Sequence, residues 1–472
     1  FPEKELATAM NCNILKVGTL LIGAVLAGVA SANMAAEIFR VTPYVQHPST
    51  NAMTVTWITA ANVSATVEWW PEGDPAAVQS AVVTPREATE LGYFGYSHAQ
   101  QYLPSLTPWQ YRCRIEGLEP DTRYAYRVTL ADGGASYSNV FRTAPDKFRP
   151  VRFVAYSDSE TQPSSTGDCV VWENYADDHD EQPDGWTRKY YIDQTAGYAS
   201  NLCCMISRKP DFFVVAGDLA EKGSDQTHWD EFWRHNAGVR NDPAGSAPIF
   251  AAPGNHDYLG TAINGSQLAA YDGGEAAISK YLCYFEYPSN GVDFNDGGKD
   301  RSQLFYRQDY GRVTVIAIDT NNGDDSDMTR DTCLRFYRQG ATLPPGHEPT
   351  ASQGPCRAPD FNPGTPQFNW LTNQLADAQA KGQFTFVLNH HVPHSVGYHN
   401  RANVWSTTSY QEPYSACAVR VLQPYLLKYG VTAWICGHDE IMERSFWVGL
   451  YPGMTEPKLK YMAKMLHEAV LA

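Results

Sequence analysis

The sequence predicts an all-β sandwich followed by an α/β sheet core, and three observations carry that reading. Residues from about Phe39 to Thr143 break into short β-rich pieces separated by turn residues, with no helical period. From Val151 the texture changes to apolar runs of strand length alternating with helix-length stretches. Five of those runs end in Asp, Asn, His or Glu, and in open α/β sheets ligands gather at the carboxyl ends of the strands.

Taken in order, residues 1–32 read as upstream sequence and a secretory signal. Phe1–Ala9 precedes Met10, Lys16 supplies a positive n-region, Val17–Val29 an apolar h-region and Ala30-Ser31-Ala32 a small-residue cleavage signal. The expectation is a secreted protein, periplasmic or extracellular; the alternative is an uncleaved N-terminal anchor. The sandwich is expected over 37–145. Val55–Ile58 and Ala65–Trp69 alternate as strands, Gly117–Asp121 gives a Pro-led turn, and Asn139–Thr143 gives a further strand. The pattern Leu118-x-Pro120-x-Thr122-x-Tyr124-x-Tyr126 resembles a fibronectin type III-like domain. Nothing in it has catalytic spacing, so it reads as a scaffold or spacer.

The α/β domain is expected over 148–445. Tyr190–Ser207 and Thr227–Asn236 read as helices, and Leu304–Gln308 with Val313–Asp319 as a hairpin turned at Tyr310-Gly311. Thr365 and Pro366 are the cap and first residue of another helix. Cys417–Tyr429 reads as one long helix stopped by Gly430. Thr161–Trp186 is an acidic loop, and residues 446–472 form an atypical tail without a recognisable strand.

The strand ends carry the chemistry. Val151–Tyr156 leads to Asp158 and Glu160, Phe212–Ala216 to Asp218, and Pro248–Ala252 to Gly254-Asn255-His256-Asp257. Phe384–Leu388 leads to Asn389-His390-His391, and Thr432–Cys436 to Gly437-His438-Asp439-Glu440. In this order and spacing the chain resembles the calcineurin-like metallophosphoesterase superfamily, in its purple acid phosphatase-like branch. The resemblance covers Val151 to about Arg444. It implies two packed mixed sheets and a pair of metal ions of the Fe, Mn, Zn or Mg class that activate water and clamp a phosphoryl group.

The resemblance also implies roles. Asp218 would bridge the metals; one site would have Asp218, Asn255, His391 and His438, and the other Asp158 and Asp218. His391 is preferred to His390 because the family histidine is followed two residues later by proline, here Pro393. His256 would protonate the leaving group as the catalytic acid. Glu160 and Glu440 stand where relatives have histidines, and Glu221 where purple members have a tyrosine. The second site would then be oxygen-rich, with Mn or Fe favoured over Zn. If that site has instead decayed, both glutamates are ordinary surface residues. His399 is a further candidate for contact with the substrate phosphate.

Composition bounds the partners. With 472 residues, 43% hydrophobic, the chain can bury a large core. A net charge of −16 argues against nucleic acid as a stable partner, because that affinity rests on Lys and Arg displacing counterions. The expected partner is a small phosphorylated substrate, with no membrane contact beyond the N-terminal stretch. The leading reading is an acid phosphatase-like phosphomonoesterase. The alternatives are a phosphodiesterase or nucleotide pyrophosphatase on the same centre, or a surface binding protein that keeps the fold without catalysis. Cys12 lies in the signal and leaves nine cysteines, an odd number. Cys333 with Cys356, and Cys169 with Cys203 or Cys204, are candidate pairs, and Cys436 reads as a buried thiol.

Overall fold

A computed structural model describes residues 39–92, 108–131, 135–162, 171–172, 188–189, 194–258, 273–292, 302–321, 358–395 and 415–439. Glu440, His399, the signal stretch, the C-terminal tail, most of the acidic loop and Cys169, Cys333 and Cys356 lie outside them. The first unit is a sandwich of two antiparallel sheets. One has the order β1-β2-β6-β5, from Phe39–Gln46, Ala52–Thr59, Trp109–Glu116 and Arg86–Glu87. The other has the order β4-β3-β7-β8, from Gln79–Val83, Ala65–Pro71, Arg123–Leu130 and Ser136–Arg142. Alternation along β7, with Tyr124, Tyr126, Val128 and Leu130 buried, fills the space between the sheets, where Trp57 stacks on Tyr111.

The second unit contains two further sheets. β9 (Phe153–Tyr156), β12 (Phe212–Ala216) and β13 (Ile249–Ala252) run parallel, in the order β13-β12-β9. β14 (Tyr306–Tyr310) pairs antiparallel with β15 (Val313–Ala317), and β16 (Phe384–Leu388) and β17 (Ala433–Ile435) continue parallel to β15. Every residue of β12, β13 and β15 is buried, as strands covered on both faces must be. The sheets face one another, β12 against β16 and β13 against β15, so the carboxyl ends of both open on one rim. Val171–Trp172 and Arg188–Lys189 (β10 and β11) form a separate small ladder.

Helices α1 (Gln194–Ser207) and α2 (Gln226–Asn236) follow β9 and β12. A single turn, α3 (Asn255–Tyr258), follows β13, then α4 (Gly273–Tyr284). In α5 (Pro366–Ala380) the Thr365 hydroxyl accepts from the Phe368 amide at 3.4 Å, and Pro366 occupies the first turn, where its missing N–H costs nothing. The expected single helix over 417–429 is instead a 3-10 segment, Ser415–Leu422, followed by a short α-helix, α6 (Gln423–Lys428). Pro424 explains the break: it lacks the amide that would continue the ladder of the preceding turn.

Of the two expected roles, scaffold or spacer, the packing of the sandwich is that of a scaffold. Val41, Tyr44, Ile58, Ala88, Leu91 and Ala144 join the hydrophobic core of the α/β unit, and burying each such larger side chain stabilises by about 1.5–3 kcal/mol. Polar contacts converge on the end of α4. The Tyr44 hydroxyl donates to the Tyr284 carbonyl at 2.7 Å, Arg112 donates to the Cys283 carbonyl at 2.7 Å, and Gln46 accepts from the Glu286 amide at 2.8 Å. The last carbonyls of α4 are thus satisfied by the other unit. Arg40 makes a two-pronged pair with Asp230 of α2, at 2.8 and 3.3 Å.

Candidate metal centre

Five loops leave the aligned strand ends, and each delivers one of the residues singled out in the sequence. The backbone there is unusual. Asp158, Glu160, Asp218 and His438 have φ of 53°, 36°, 52° and 78°, a left-handed region that side chains other than glycine rarely occupy. Such turns aim successive side chains at one point instead of letting them alternate as a strand would. Two glycines make the approach possible. Gly217 has φ +85° and no room for a side chain, since a Cβ would lie 2.6 Å from the His390 ring nitrogen Nδ1. At Gly254 a Cβ would lie 2.1 Å from the Asp218 carboxylate.

His390 occupies the middle of the centre. Its Nδ1 lies 2.8 Å from the Ala216 carbonyl, which can only accept, so Nδ1 carries the proton and Nε2 points inward. Around that Nε2 stand the Asp218 carboxylate at 2.9 Å, the Asn255 side-chain oxygen at 2.8 Å and the His438 Nδ1 at 3.1 Å. Four donor atoms from four strand ends therefore share one small, buried space. Asp218, His390 and His438 have ligand atoms within 4.8 Å of one another, the size of a single cation's shell. On the other side of Asp218, the atoms of Asp158, Glu160 and Asp218 satisfy the same condition. Asp218 belongs to both groups. Asp158 also accepts from the His438 amide at 2.9 Å, which ties the first strand end to the last.

The expectation for His391 needs correction: the histidine brought into this group is His390. His391 is buried one residue further on, with Nδ1 3.0 Å from the Thr320 hydroxyl and its ring centroid 4.6 Å from that of His438. The proline signal pointed to the wrong neighbour. A better signal was spacing, because Asp158, Asp218 and His390 each lie two residues beyond the end of their strand. A sixth strand end, which carries no ligand motif in the sequence, also reaches the rim. After β15, Asp319, Thr320 and Asn321 are all buried. Asn321 donates to the Pro253 carbonyl at 3.1 Å, Asp319 accepts from the Tyr258 hydroxyl at 2.5 Å, and Thr320 accepts from Asn389 at 3.4 Å. These residues brace the loops from behind.

The electrostatics suit a positive charge at the centre. Burial would lower the basicity of His390, but the charge of Asp218, its hydrogen bond and the charge of Asp158 outweigh this and push the pKa up to about 10. Asp218 is held below the usual carboxylate range: burial opposes this, and the charge and hydrogen bond of His390 overcome it. Burial raises Asp158, with Asp218 repelling its charge and His390 opposing the rise.

His256 stands beside this group, half-buried, its amide donating to Asp218 at 2.8 Å. Its Nδ1 donates to the Glu221 carbonyl at 2.8 Å, so Nε2 is the pole left for chemistry. Carboxylates of Glu160 and Glu221 lie 3.7 Å from its two nitrogens. Burial works against protonation, but the charges of Asp218, Glu160 and Glu221 raise its pKa overall. Glu160, Glu221 and His256 form a third close group of ligand-type atoms. Glu221 therefore faces the histidine.

The donor set fits metal. It combines imidazole and carboxamide on one side of Asp218 with carboxylates on the other, and the His390 ring is oriented by its remote nitrogen as ligating histidines are.

Comparison with known proteins bears on family and fold. The purple acid phosphatase N-terminal domain matches residues 38–144, and the calcineurin-like phosphoesterase family matches residues 195–441. Human tartrate-resistant acid phosphatase type 5 is 25% identical over 240 residues, covering 49% of this chain and 53% of that protein. An acid phosphatase of Aspergillus ficuum is 23% identical over 431 residues, covering 75% of this chain and 64% of that protein. The chain thus spans between about half and somewhat under two thirds of these relatives' length. The solved purple acid phosphatase PPD1 from yellow lupin seeds superposes with a TM-score of 0.52 at 17% identity, covering 84% of this chain and 57% of that one, a likeness of fold.

Proposed function

Since the chain belongs to the calcineurin-like phosphoesterase family, we propose that it is a secreted phosphomonoesterase of the acid phosphatase type, hydrolysing small phosphorylated substrates at a two-metal centre. The observation that carries the reading is the shared position of Asp218 between the Asp218, His390 and His438 group and the Asp158, Glu160 and Asp218 group. A single carboxylate between two cation-sized niches is what a bridged metal pair requires. Asn255 completes the first niche. Glu160 supplies an oxygen where relatives have nitrogen, so Mn or Fe is favoured over Zn at the second. When bound, the two metals activate water and offset the charge of the phosphoryl group.

The protein's own residues supply the rest. His256 has its Nδ1 proton committed to the Glu221 carbonyl, so Nε2 carries the proton offered to the leaving oxygen. The negative charges around it keep that proton in place to higher pH than an isolated histidine would. Export rests on the signal-like stretch before residue 33; among the described residues no helix is long and apolar enough to cross a membrane.

Metal analysis of the purified protein, combined with turnover of an aryl phosphomonoester and an aryl phosphodiester, tests the reading. The expected result is about two metals per chain and preferential monoester hydrolysis that is lost on chelation. Faster diester turnover would transfer the assignment to a phosphodiesterase on the same centre. Two bound metals with no turnover of either would refute catalysis and leave a binding protein.

A further inference from the structure

We propose that Asp257 is a positioning residue for the metal centre, a carboxylate that clamps the loop carrying Asp218 to the loop carrying Asn255. The proposal rests on the two-metal reading above. Asp257 is fully buried. One of its oxygens accepts from the amides of Leu219 at 3.1 Å and Ala220 at 3.4 Å, immediately after Asp218. The other accepts from the Gly254 amide at 2.8 Å, immediately before Asn255. The stitching is mutual: Asp218 accepts from the His256 amide at 2.8 Å, and the His256 carbonyl accepts from the Gly223 amide at 2.8 Å.

These bonds bear on ligand geometry. Asp218 holds a φ of 52°, and the conformation that aims its carboxylate at His390 is kept only while the following amides are fixed. Both loops are too close for either to shift alone, as the missing space at Gly254 shows. Without the carboxylate, three buried amides in two ligand-bearing loops would lose their acceptor together. The loops would relax apart, carrying Asp218 and Asn255 with them. Asp257 touches neither substrate nor metal in this scheme; it acts through the residues on either side.

Asp257→Asn separates this role from general stability. The isosteric amide keeps the volume but turns an NH2 group toward one set of amide donors. The full chain is stripped of metal, and Mn²⁺ affinity is measured by equilibrium dialysis alongside circular dichroism of the metal-free protein. The expected result is an unchanged metal-free spectrum with Mn²⁺ affinity lowered by about 10- to 100-fold, the range for partners that orient ligands. At saturating Mn²⁺, kcat toward an aryl phosphomonoester should recover, with KM unmoved. Wild-type Mn²⁺ affinity in the folded variant would overturn the proposal. If Asp257→Asn does not fold, Asp257→Glu decides: it keeps the charge but moves the acceptors by a methylene, and undiminished affinity in it would overturn the clamp. A wild-type protein that binds Mn²⁺ yet cleaves no phosphate ester refutes the phosphatase reading while dialysis still decides the clamp. A wild-type protein that binds no metal overturns both.

Discussion

Replacing Gly217 by Ala should disable the centre without altering any residue that offers a ligand. The magnitude has two parts. At φ +85° an alanine adopts a left-handed conformation, which costs about 1–2 kcal/mol. The new methyl would also stand 2.6–2.7 Å from three atoms of His390, including Nδ1, so the ring must move. Moving it breaks the bond to the Ala216 carbonyl and withdraws Nε2 from Asp218, and a buried polar group left unpaired costs about 1–3 kcal/mol. The total is about 2–5 kcal/mol in the metal-free protein, together with loss of a nitrogen ligand. Gly117→Ala is the matched control, because Gly117 has φ +72° and nothing within 4 Å of where the alanine Cβ would stand, so it carries the dihedral cost alone. Urea unfolding of both metal-free variants and metal content by dialysis form the assay. If Gly217→Ala matches Gly117→Ala in stability and keeps wild-type metal content, His390 is not the central histidine and the geometry argued for it is wrong.

Three further outcomes follow from the same contacts. His256→Ala should lower kcat by about two to four orders of magnitude with metal content unchanged; a wild-type rate would remove it from the mechanism. Glu160→Gln should reduce stoichiometry from two metals toward one while sparing the niche of Asn255, His390 and His438, and full retention of both metals would make Glu160 an ordinary neighbour of His256. Asp242 sits against Tyr137, Asn139 and Thr42 of the sandwich, and burial pushes its carboxyl up from 3.8 to about 7. The folded state then binds this proton more tightly than the unfolded state. Its contribution is full below about pH 4 and is lost as pH rises through about 7, amounting to at most about 4 kcal/mol at roughly 1.4 kcal/mol per pKa unit. Asp242→Asn should flatten the change in urea midpoint across that window, and identical pH slopes in the two proteins would refute the assignment.

Much of this molecule was legible in its residues because strand burial and ligand placement leave strong local marks. Runs such as Phe212–Ala216 and Ile249–Ala252 announce strands covered on both faces, and the polar residue just past each run marks the rim. Helix starts were readable where chemistry punctuates them, as at Thr365 and Pro366. What was not legible depends on direction rather than composition. His390 and His391 are chemically identical, and only the turn after β16, with a glycine opposite, decides which ring enters the centre. Asp319, Thr320 and Asn321 form a brace whose partners lie on other loops, about 70 residues away for Thr320 and His391. No local pattern encodes such a pairing. Which sandwich residues pack against the other unit was hidden for the same reason, since Val41 and Tyr44 read as strand residues whichever core they enter.

That shared core limits how such a chain can be recombined. The junction near Ala144 and Pro145 looks in sequence like a place where one module could be exchanged for another. In space it is no seam, since Val41, Tyr44, Ile58 and Leu91 lie in the same core as residues of the α/β unit, and Arg112, Tyr44 and Gln46 close the end of α4. A foreign sandwich grafted at this point would have to reproduce both the apolar surface and the hydrogen-bonding pattern of its face. The two units therefore form one packed body, and a substitution on the outer face of β1 is constrained by strands that begin only at Phe153.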